Sequence, residues 1–310
     1  MSEQIKPVRK AVLPVAGLGT RLLPATKVMP KEMLTILDRP LIQMAVEEAR
    51  QAGIEEFIFV ISSGKDVLIR QFECPQALMD MLEKRNKVEQ IEKVKASSLP
   101  EGAIQTASQE VALGLGHAVW CAKELVGDAP FAIILPDDTV RHERSCLAQM
   151  MDAYNKHGGN IVATCEVDMK DASKYGMLDI TSRDGQTVSV KGLVEKPKAE
   201  ESPSNMAIFG RYILQPKIFN YLDRHEKGAG GEIQLTDAMV HLIQDQSFHG
   251  FAFEGERLDC GSEVGFVKAN IAYALDKDSI SDEVAEYMME KLRAYHEGKA
   301  MLGKAKKAAA

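Results

Sequence analysis

Residues 11–31 read AVLPVAGLGTRLLPATKVMPK, and they decide the fold because an apolar strand leads directly into a basic loop. The first five of these residues, 11–15, form the apolar run that predicts a buried strand. Pro14 has no N–H group to donate to a strand ladder, so we expect regular pairing to end near Leu13. The sequence therefore predicts that a functional loop begins at the carboxyl end of this strand.

The loop at residues 16–31 is basic, although the formal net charge of the chain is −7. It contains no acidic residue, and its charged side chains are Arg21, Lys27 and Lys31. Gly17 and Gly19 leave room for backbone N–H groups to approach a ligand closely. Together these features predict a site for a polyanion, most simply a nucleoside triphosphate.

Two better-known phosphate motifs and one bland interpretation compete with this prediction. A dinucleotide fingerprint needs a glycine at the position where the chain has Leu22. A P-loop needs a serine or threonine after Gly64-Lys65, where the chain has Asp66. The third alternative is a basic surface loop without a ligand, but its place directly after a buried strand favours a binding site.

The composition is that of an intracellular globular protein. Hydrophobic residues make up 45% of the 310 residues and charged residues 27%. No apolar run approaches the roughly 20 residues of a membrane span, and the polar start has no signal-peptide core. The five cysteines are scattered, which suits a reducing compartment and argues against structural zinc. The acidic balance argues against nucleic acid, so we expect a cytoplasmic protein that binds neither membrane nor nucleic acid.

Strand-like runs alternate with helical patterns through the first half of the chain. Residues 41–49 have helical spacing and stop before Gly53. Further strands are predicted at residues 57–61, 104–108, 131–135 and 161–165. This alternation predicts an α/β fold with a largely parallel sheet covered on both faces and ligands at the carboxyl ends of its strands.

The second half of the chain begins with a hairpin. Residues 177–181 and 188–194 flank Arg183-Asp184-Gly185, which is a turn signal. Residues 206–214 are another strand, and helices are expected to predominate from Pro216 onward. Two helical segments look accessory, namely residues 75–95 and residues 282–297. The first is predicted to cover the site or to pack on another subunit, and the tail from Lys304 has no predicted role.

Carboxylates stand where strands are expected to end. Asp137 and Asp138 follow the strand at 131–135, where a carboxylate is well placed to hold Mg²⁺ against phosphate oxygens. The alternative is a turn or a helix N-cap, where aspartate is favoured without any functional role. Asp259 has two similar interpretations, a turn or a second metal carboxylate. Beside a triphosphate loop the metal interpretation is favoured, with Asp137 as the ligand.

Glu195 and Lys196 close the strand at 188–194, and they also have two interpretations. They form either an exposed ion pair or a site in which the lysine contacts phosphate and the glutamate accepts hydrogen bonds from sugar hydroxyls. No serine or cysteine has an evident activating partner, so covalent catalysis is not expected.

Gln109 and the glycines that follow it suit the recognition of a base. Gln109 offers an amide to a base edge, and Gly114 and Gly116 would let the ring approach the backbone. His117 begins a helix, where it either contacts phosphate or is structural.

The ordered set of motifs resembles the sugar-1-phosphate nucleotidylyltransferases. That pattern comprises PVAGLGTRLLP at 14–24, Pro30-Lys31, LPDD at 135–138 and EKP at 195–197. LGLGHA at 113–118 and EIQLTDA at 232–238 are similar to bacterial members that use UTP and glucose 1-phosphate. The match runs from about residue 8 to residue 275, and as an ordered set it is specific.

The resemblance implies a Rossmann-like three-layer nucleotidyltransferase fold with a central mixed, mostly parallel sheet and helical insertions. The domain would span residues 8–275, with a helical insertion at about 75–96, followed by a C-terminal helix and tail at 276–310. A homo-oligomer, either a dimer or a tetramer, is also implied.

The resemblance also implies roles for individual residues. The implied catalytic residues are Arg21, Lys31, Asp137 and Lys196. The implied nucleotide-binding residues are Ala16, Gly17, Leu18, Gly19, Gln109 and Gly114. The implied sugar-binding residues are Gly176, Glu195 and Asn205. The implied Mg²⁺ ligands are Asp137 and Asp259.

The implied reaction is the Mg²⁺-dependent transfer of UMP from UTP to α-D-glucose 1-phosphate, giving UDP-glucose and pyrophosphate. A thymidylyltransferase is the nearest alternative, because uracil and thymine differ by one methyl group, worth only ~1–3 kcal/mol. A glycosyltransferase that consumes a nucleotide sugar would not need the cationic loop. A non-catalytic paralogue that binds a partner subunit is the third alternative, and the intact set of charged residues argues against it.

Overall fold

The computed structural model describes residues 5–308, in which strands and helices alternate. The strands are β1 (Lys10–Pro14), β2 (Thr35–Ile36), β3 (Arg39–Pro40), β4 (Glu56–Ile61), β5 (Ile104–Ser108), β6 (Phe131–Ile134), β7 (Asp138–Arg141), β8 (Asn160–Glu166), β9 (Gly176–Asp184), β10 (Thr187–Glu195), β11 (Met206–Leu214), β12 (Phe248–Ala252) and β13 (Glu256–Asp259). The α-helices are α1 (Leu41–Gln51), α2 (Val67–Arg70), α3 (Gln76–Lys84), α4 (Val88–Ser97), α5 (Leu115–Cys121), α6 (Lys123–Val126), α7 (Cys146–His157), α8 (Phe219–Leu222), α9 (Leu235–Asp245), α10 (Glu263–Leu275) and α11 (Ser281–Ala308). Within residues 5–308, no helix combines the length and apolar character that a membrane span requires.

Nine strands form the central sheet, in the order β5-β4-β1-β6-β11-β8-β12-β10-β9. The strands β5, β4, β1 and β6 are parallel, as are β8 and β12. The pairs β11–β6, β11–β8, β10–β12 and β10–β9 are antiparallel. The mixed α/β sheet is confirmed, but among the described strands only four of the eight neighbouring pairs are parallel, so the sheet is not mostly parallel. The pair β9–β10 is antiparallel because a tight hairpin joins these two strands.

Two apolar cores cover the two faces of the sheet and produce three layers. On one face, α5, α8 and α9 contribute side chains such as Val119, Phe219 and Leu235. On the other face, α1 and α7 contribute side chains such as Ile42 and Leu147. All residues of β11 are buried, because it lies between β6 and β8 in the middle of the sheet. The carboxyl ends of the four N-terminal parallel strands meet at one edge.

Most predicted strands lie where the sequence places them. The runs at 57–61, 104–108, 131–135, 161–165 and 206–214 correspond to β4, β5, β6, β8 and β11. The turn signal Arg183-Asp184-Gly185 lies at the hairpin between β9 and β10.

Pro14 is the last residue of β1, so regular pairing ends one residue later than the expected end near Leu13. Pro14 is level with Val60 of β4, whereas the pairing of β1 with β6 stops at Val12. The Val15 N–H group donates to Val60 O at 2.9 Å, so the nitrogen of Pro14 faces the opposite side, toward β6. Its missing N–H group therefore lies where no ladder partner is required.

Helices predominate after Pro216, as expected, but two short strands also lie there. The strand β12 pairs in parallel with β8, and β13 pairs antiparallel with β7. Both are short, and Gly250 in β12 and the charged residues of β13 obscure the alternating apolar pattern. The pair β7–β13 positions the site, because Asp259 lies opposite Asp138.

The accessory segments are helical, as predicted, with different bounds. The insertion is a hairpin of α3 and α4, joined by a turn in which Asn86 has a φ of 51°. The C-terminal helix α11 runs beyond the predicted 282–297, to Ala308, and so includes part of the tail. Residues 309–310 of that tail lie outside the described residues.

Candidate active site

The glycine-bearing loop after β1 is held by a buried lysine from the segment after β4. The Lys65 ammonium donates to the carbonyl oxygens of Val15 and Gly17, the latter at 2.6 Å. It also lies 3.1 Å from Oε2 of Glu32, whose side chain is buried. Gly17 remains exposed, and nothing lies within 4 Å of the position that a Cβ would take. The loop is therefore fixed by Lys65 on its buried side, and at Gly17 it is open on the other side.

Lys31 and Asp137 meet at the carboxyl edge of the sheet, 106 residues apart in the sequence. Lys31 Nζ lies 2.5 Å from Asp137 Oδ2, and both side chains are about three-quarters buried, at 23% and 25% exposure. Lys31 follows the glycine-bearing loop, and Asp137 follows β6, which lies next to β1. The sequence analysis predicts that the basic loop and a carboxylate at a strand end lie at the same edge of the sheet, and in the structure the two are in direct contact.

The electrostatics of this pair keep both groups charged. Burial alone would raise the pKa of Asp137, but the charges of Lys31 and Arg21 hold it below its ordinary value. Burial alone would lower the pKa of Lys31, but Asp137 and Glu32 raise it above its ordinary value. Arg21 itself is exposed and makes its contribution through charge. Lys31 and Arg21 therefore surround an ionised Asp137.

Asp259 faces the same space as Asp137. A methyl group at Gly261 would lie 2.9 Å from Asp137 Oδ2 and 3.2 Å from Asp259 Oδ1, so the two carboxylates flank one small gap. The backbone N–H of Cys260 donates to Asp137 O at 2.7 Å and ties the two segments together. Among residues 5–308, no group of three or more His, Cys, Asp or Glu side chains is placed to hold a metal ion. Two carboxylates with an open side suit a cation whose remaining ligands come from water and phosphate.

Asp138 has a different environment from its neighbour Asp137. Its Oδ1 lies 3.4 Å from Arg257 Nη2, and its Oδ2 lies beside Gly210 of β11. Burial raises the pKa of Asp138 to about 6, even though Arg257 opposes the rise. Of the two adjacent carboxylates, Asp137 is the one that faces the cationic loop.

A buried ion pair fixes the turn that carries Asp137. Arg211 of β11 donates to both oxygens of Glu48 on α1, from Nε at 2.8 Å and from Nη2 at 2.8 Å. Its Nη1 donates to Leu135 O at 2.9 Å. The end of β6 is therefore anchored two residues before Asp137.

Glu195 and Lys196 form a second part of the edge. Lys196 Nζ lies 3.1 Å from Glu195 Oε1, and the Lys196 backbone has a left-handed φ of 46°. A methyl group at Gly176 would lie 3.2 Å from Glu195 Oε2 and 3.6 Å from Thr236 Oγ1. The position in front of Gly176 is thus bordered by oxygen atoms of Glu195 and Thr236 and by Ile208 Cδ1 at 3.2 Å.

Lys196 makes no side-chain contact with Asp137 within residues 5–308. Burial raises the pKa of Tyr212 of β11, and the charges of Asp138 and Glu195 add to the rise. Lys196 is half-exposed and free to reach a ligand placed between the two parts.

Asn205 is exposed, and its backbone carbonyl accepts from Val167 N–H at 2.9 Å. No side-chain contact joins it to Gly176 or Glu195 in the described part of the chain. The structure therefore brings together the cationic loop, the carboxylates and Glu195-Lys196, but not Asn205.

Gln109 lies at the end of β5 and is buried, with its side chain directed to the start of α5. Its Nε2 donates to Gly114 O at 3.2 Å and lies 2.9 Å from His117 Nδ1. A methyl group at Gly114 would lie 2.8 Å from Ile233 O, and one at Gly116 would lie 2.7 Å from the same atom. A side chain at either position would collide with the backbone just before α9. The packing of this backbone therefore explains why glycine is needed at 114 and 116, without any close approach of a base.

Comparison with known proteins identifies the family. The family model described as nucleotidyl transferase matches residues 10–275. The chain belongs to the nucleotidyl transferase family. A UTP–glucose-1-phosphate uridylyltransferase of Komagataeibacter xylinus is 51% identical over 84% of this chain and 92% of its own length.

Solved structures agree with this family. A UTP-bound UGPase from Acinetobacter baumannii matches 92% of this chain and 99% of its own, with a TM-score of 0.84 and 36% identity. A UDP-glucose pyrophosphorylase complexed with UDP-glucose matches 87% of this chain and 100% of its own, with a TM-score of 0.78 and 38% identity. A glucose-1-phosphate thymidylyltransferase described as putative, from Bacillus anthracis, has a TM-score of 0.65 at 22% identity, which shows the fold alone.

Several residues that shape this nucleotidyl transferase site escaped the sequence interpretation. Lys65 was weighed only as part of a P-loop, and the buried pair Arg211–Glu48 and Arg257 were not considered. The signal for Lys65 is its position directly after a strand end, beside the strand that carries the glycine-bearing loop. Arg211 has a similar signal, a single charge within the otherwise apolar run 206–214. Nothing in the sequence predicts the contact between His117 and Gln109 except that the two residues are close along the chain.

Proposed function

We propose that this nucleotidyl transferase moves UMP from UTP to α-D-glucose 1-phosphate, giving UDP-glucose and pyrophosphate. The observation that carries the proposal is the Lys31–Asp137 contact, with Asp259 facing the same gap. The relative named for this reaction covers most of the chain, and related structures contain UTP or UDP-glucose. Cations and carboxylates at one sheet edge are the groups that phosphoryl chemistry requires.

In the proposed reaction an oxygen of the sugar phosphate attacks the α-phosphorus of UTP. The new bond forms between that oxygen and the α-phosphorus, and the bond to the bridging oxygen of pyrophosphate breaks on the opposite side. The attacking phosphate is already an anion at neutral pH, so no general base is needed. The chain has to bring two anions together, align them, and stabilise charge on the leaving pyrophosphate.

The cations supply this positioning. Arg21 and Lys31 neutralise the triphosphate, and Lys196 contacts the phosphate groups that meet at the reacting centre. Lys31 is paired with Asp137 in the structure, so in the proposed complex it moves a short distance from carboxylate to phosphate. Loss of one such group commonly costs about 10²–10³ in rate.

The two carboxylates fit a magnesium ion. Asp137 and Asp259 flank the gap at Gly261 that a methyl group would fill, and they offer the hard oxygen ligands that Mg²⁺ prefers. When bound, Mg²⁺ neutralises phosphate oxygens and orients them for in-line displacement. Asp137 is the principal ligand in this proposal, and Asp259 is the second.

The base and the sugar occupy opposite parts of the edge. The backbone of Ala16, Gly17, Leu18 and Gly19 holds the nucleotide, and Gln109 and Gly114 complete the base pocket. Glu195 accepts hydrogen bonds from glucose hydroxyls beside Gly176.

We also infer a cytoplasmic homo-oligomer, a dimer or a tetramer. Five free cysteines suit a reducing compartment. Exposed large apolar side chains on α10 and α11 offer a surface for a second copy, namely Val264, Val267, Leu275, Tyr287, Met289, Leu292 and Tyr295. Light scattering coupled to gel filtration tests the oligomer.

Pyrophosphate release tests the function. The purified protein is given UTP, dTTP, CTP or ATP, each with and without glucose 1-phosphate and Mg²⁺. We expect release with UTP only when glucose 1-phosphate is present, with one UDP-glucose formed per pyrophosphate. Release without the sugar phosphate, or a higher kcat/KM for dTTP than for UTP, would contradict the proposal.

A further inference from the structure

The backbone of Gln109 and the glycine-bearing loop are both tied to the segment at the end of β4. The Gln109 N–H group donates to Ile61 O at 2.8 Å, so Gln109 lies level with the end of β4. The next residue of that segment, Ser62, donates to Ala16 O at 3.2 Å. Adjacent residues at the end of β4 therefore contact Gln109 and the loop, and Gln109 as a whole is 7% exposed.

The amide of Gln109 is held in one orientation by two acceptors. An amide nitrogen carries two hydrogens. One donates to Gly114 O at 3.2 Å, and the other is directed to His117 Nδ1 at 2.9 Å. In the flipped orientation, Gln109 Oε1 would face the Gly114 carbonyl oxygen, and two acceptors would oppose each other. Within residues 5–308 no donor contacts Oε1, and this oxygen is not among the fully buried side-chain atoms left without a partner.

His117 is held so that its Nδ1 can accept. Its ring stacks on Trp120 with centroids 5.6 Å apart and meets His225 edge-on at 5.9 Å. Burial and the nearby His225 lower the pKa of His117 below its ordinary value, so the ring is neutral at neutral pH. A neutral ring that accepts at Nδ1 carries its hydrogen on Nε2.

We propose that His117 is a positioning residue that determines base specificity, by holding the Gln109 amide with its oxygen toward the nucleotide. The inference rests on the proposed function, in which Gln109 faces the base. An amide oxygen fixed in this way accepts from the N3–H group of uracil or thymine. Cytosine presents an acceptor at N3, which would face the Gln109 oxygen, also an acceptor. The binding of CTP is therefore disfavoured. The nucleotide that fits is therefore a triphosphate whose pyrimidine carries an N–H donor.

The test compares UTP with CTP in the full-length protein. Dissociation constants are measured by calorimetry without sugar phosphate, and kcat/KM is measured by pyrophosphate release with glucose 1-phosphate. His117→Phe keeps a ring that can stack on Trp120 but removes the acceptor, and His117→Leu removes both the acceptor and the ring. His117→Gln retains an acceptor. His225→Asn is the matched control, because His225 belongs to the same ring cluster without touching Gln109, and asparagine tolerates its left-handed φ of 51°.

We expect His117→Phe and His117→Leu to reduce the preference for UTP over CTP by about three- to tenfold, the worth of one hydrogen bond. His117→Gln and His225→Asn should retain the wild-type ratio. A folded His117→Phe or His117→Leu variant with the wild-type ratio would overturn the inference, as would equal binding of UTP and CTP by the wild type. A wild type that prefers UTP in binding but releases no pyrophosphate would refute the proposed function instead, and the binding ratios would still test His117.

Discussion

Replacing Lys65 with methionine removes the cation that holds the glycine-bearing loop. The substitution leaves the carbonyls of Val15 and Gly17 without a donor and leaves the Glu32 carboxylate, which is 1% exposed, without its Lys65 partner. Breaking a buried ion pair by removing one partner costs about 3–5 kcal/mol. At about 2–4 °C per kcal/mol for a domain of this size, Tm should fall by about 6–20 °C.

A second substitution that restores stability, and the dependence of stability on pH, make this prediction specific. Adding Glu32→Gln to Lys65→Met removes the stranded charge, so the double variant should be more stable than Lys65→Met by at least about 1 kcal/mol. Burial already raises the pKa of Glu32 above its ordinary 4.5 in the presence of Lys65. Without Lys65 that pKa rises further.

The sign of the pH effect follows from this raised pKa. A carboxyl whose pKa is higher in the folded state than in the unfolded state favours folding below the unfolded value, and this advantage is lost as pH rises through the folded pKa. The deficit of Lys65→Met relative to wild type should therefore be smaller at pH 5 than at pH 8. Urea denaturation at both pH values measures the free energies of unfolding for Lys65→Met, the double variant and the wild type. An equal deficit with and without Glu32→Gln, or one that does not shrink at pH 5, would refute the reasoning.

Three further substitutions test other parts of the edge. Lys196→Ala should lower kcat by at least about a hundredfold with little change in Tm, because Lys196 is half-exposed and its structural contact is a neighbouring carboxylate; steady-state kinetics with unchanged turnover would remove it from the mechanism. Gly261→Ala should lower kcat by at least about tenfold and raise the Mg²⁺ concentration needed for half-maximal rate, because its methyl group would fill the gap between Asp137 and Asp259; a wild-type Mg²⁺ titration would show that the gap holds no metal. Gly116→Ala should destabilise the fold by about 1–3 kcal/mol, because its methyl group would lie 2.7 Å from Ile233 O; a wild-type Tm in a thermal melt would show that the backbone before α9 moves aside at no cost.

The contacts at the carboxyl edge could be anticipated because they follow from local patterns. An apolar run followed by a basic glycine-bearing loop placed Lys31, and a second apolar run followed by aspartates placed Asp137. Parallel strands put their carboxyl ends at one edge, so the contact between the two required no knowledge of loop geometry. The hairpin at Arg183-Asp184-Gly185 was equally local.

The features of the site that could not be predicted from the sequence depend on contacts between residues that are far apart along the chain. Lys65 reaches Val15 and Gly17 from 50 and 48 residues away, and Arg211 reaches Glu48 from 163 residues away. No periodicity encodes such a pair, because each partner is only an isolated charge beside an apolar run. Likewise, the glycine at 114 suggested space for a base, whereas the structure shows the backbone of Ile233 in the space a side chain would take.

The Mg²⁺ dependence of UDP-glucose formation by Asp137→Asn tests the account most directly. The substitution keeps the size of the side chain and removes the charge that lies 2.5 Å from Lys31 and faces Asp259 across the gap. With UTP and glucose 1-phosphate saturating, we expect the maximal rate to fall by at least about a hundredfold and the half-maximal Mg²⁺ concentration to rise. Superimposable Mg²⁺ titrations for Asp137→Asn and the wild type would contradict the account.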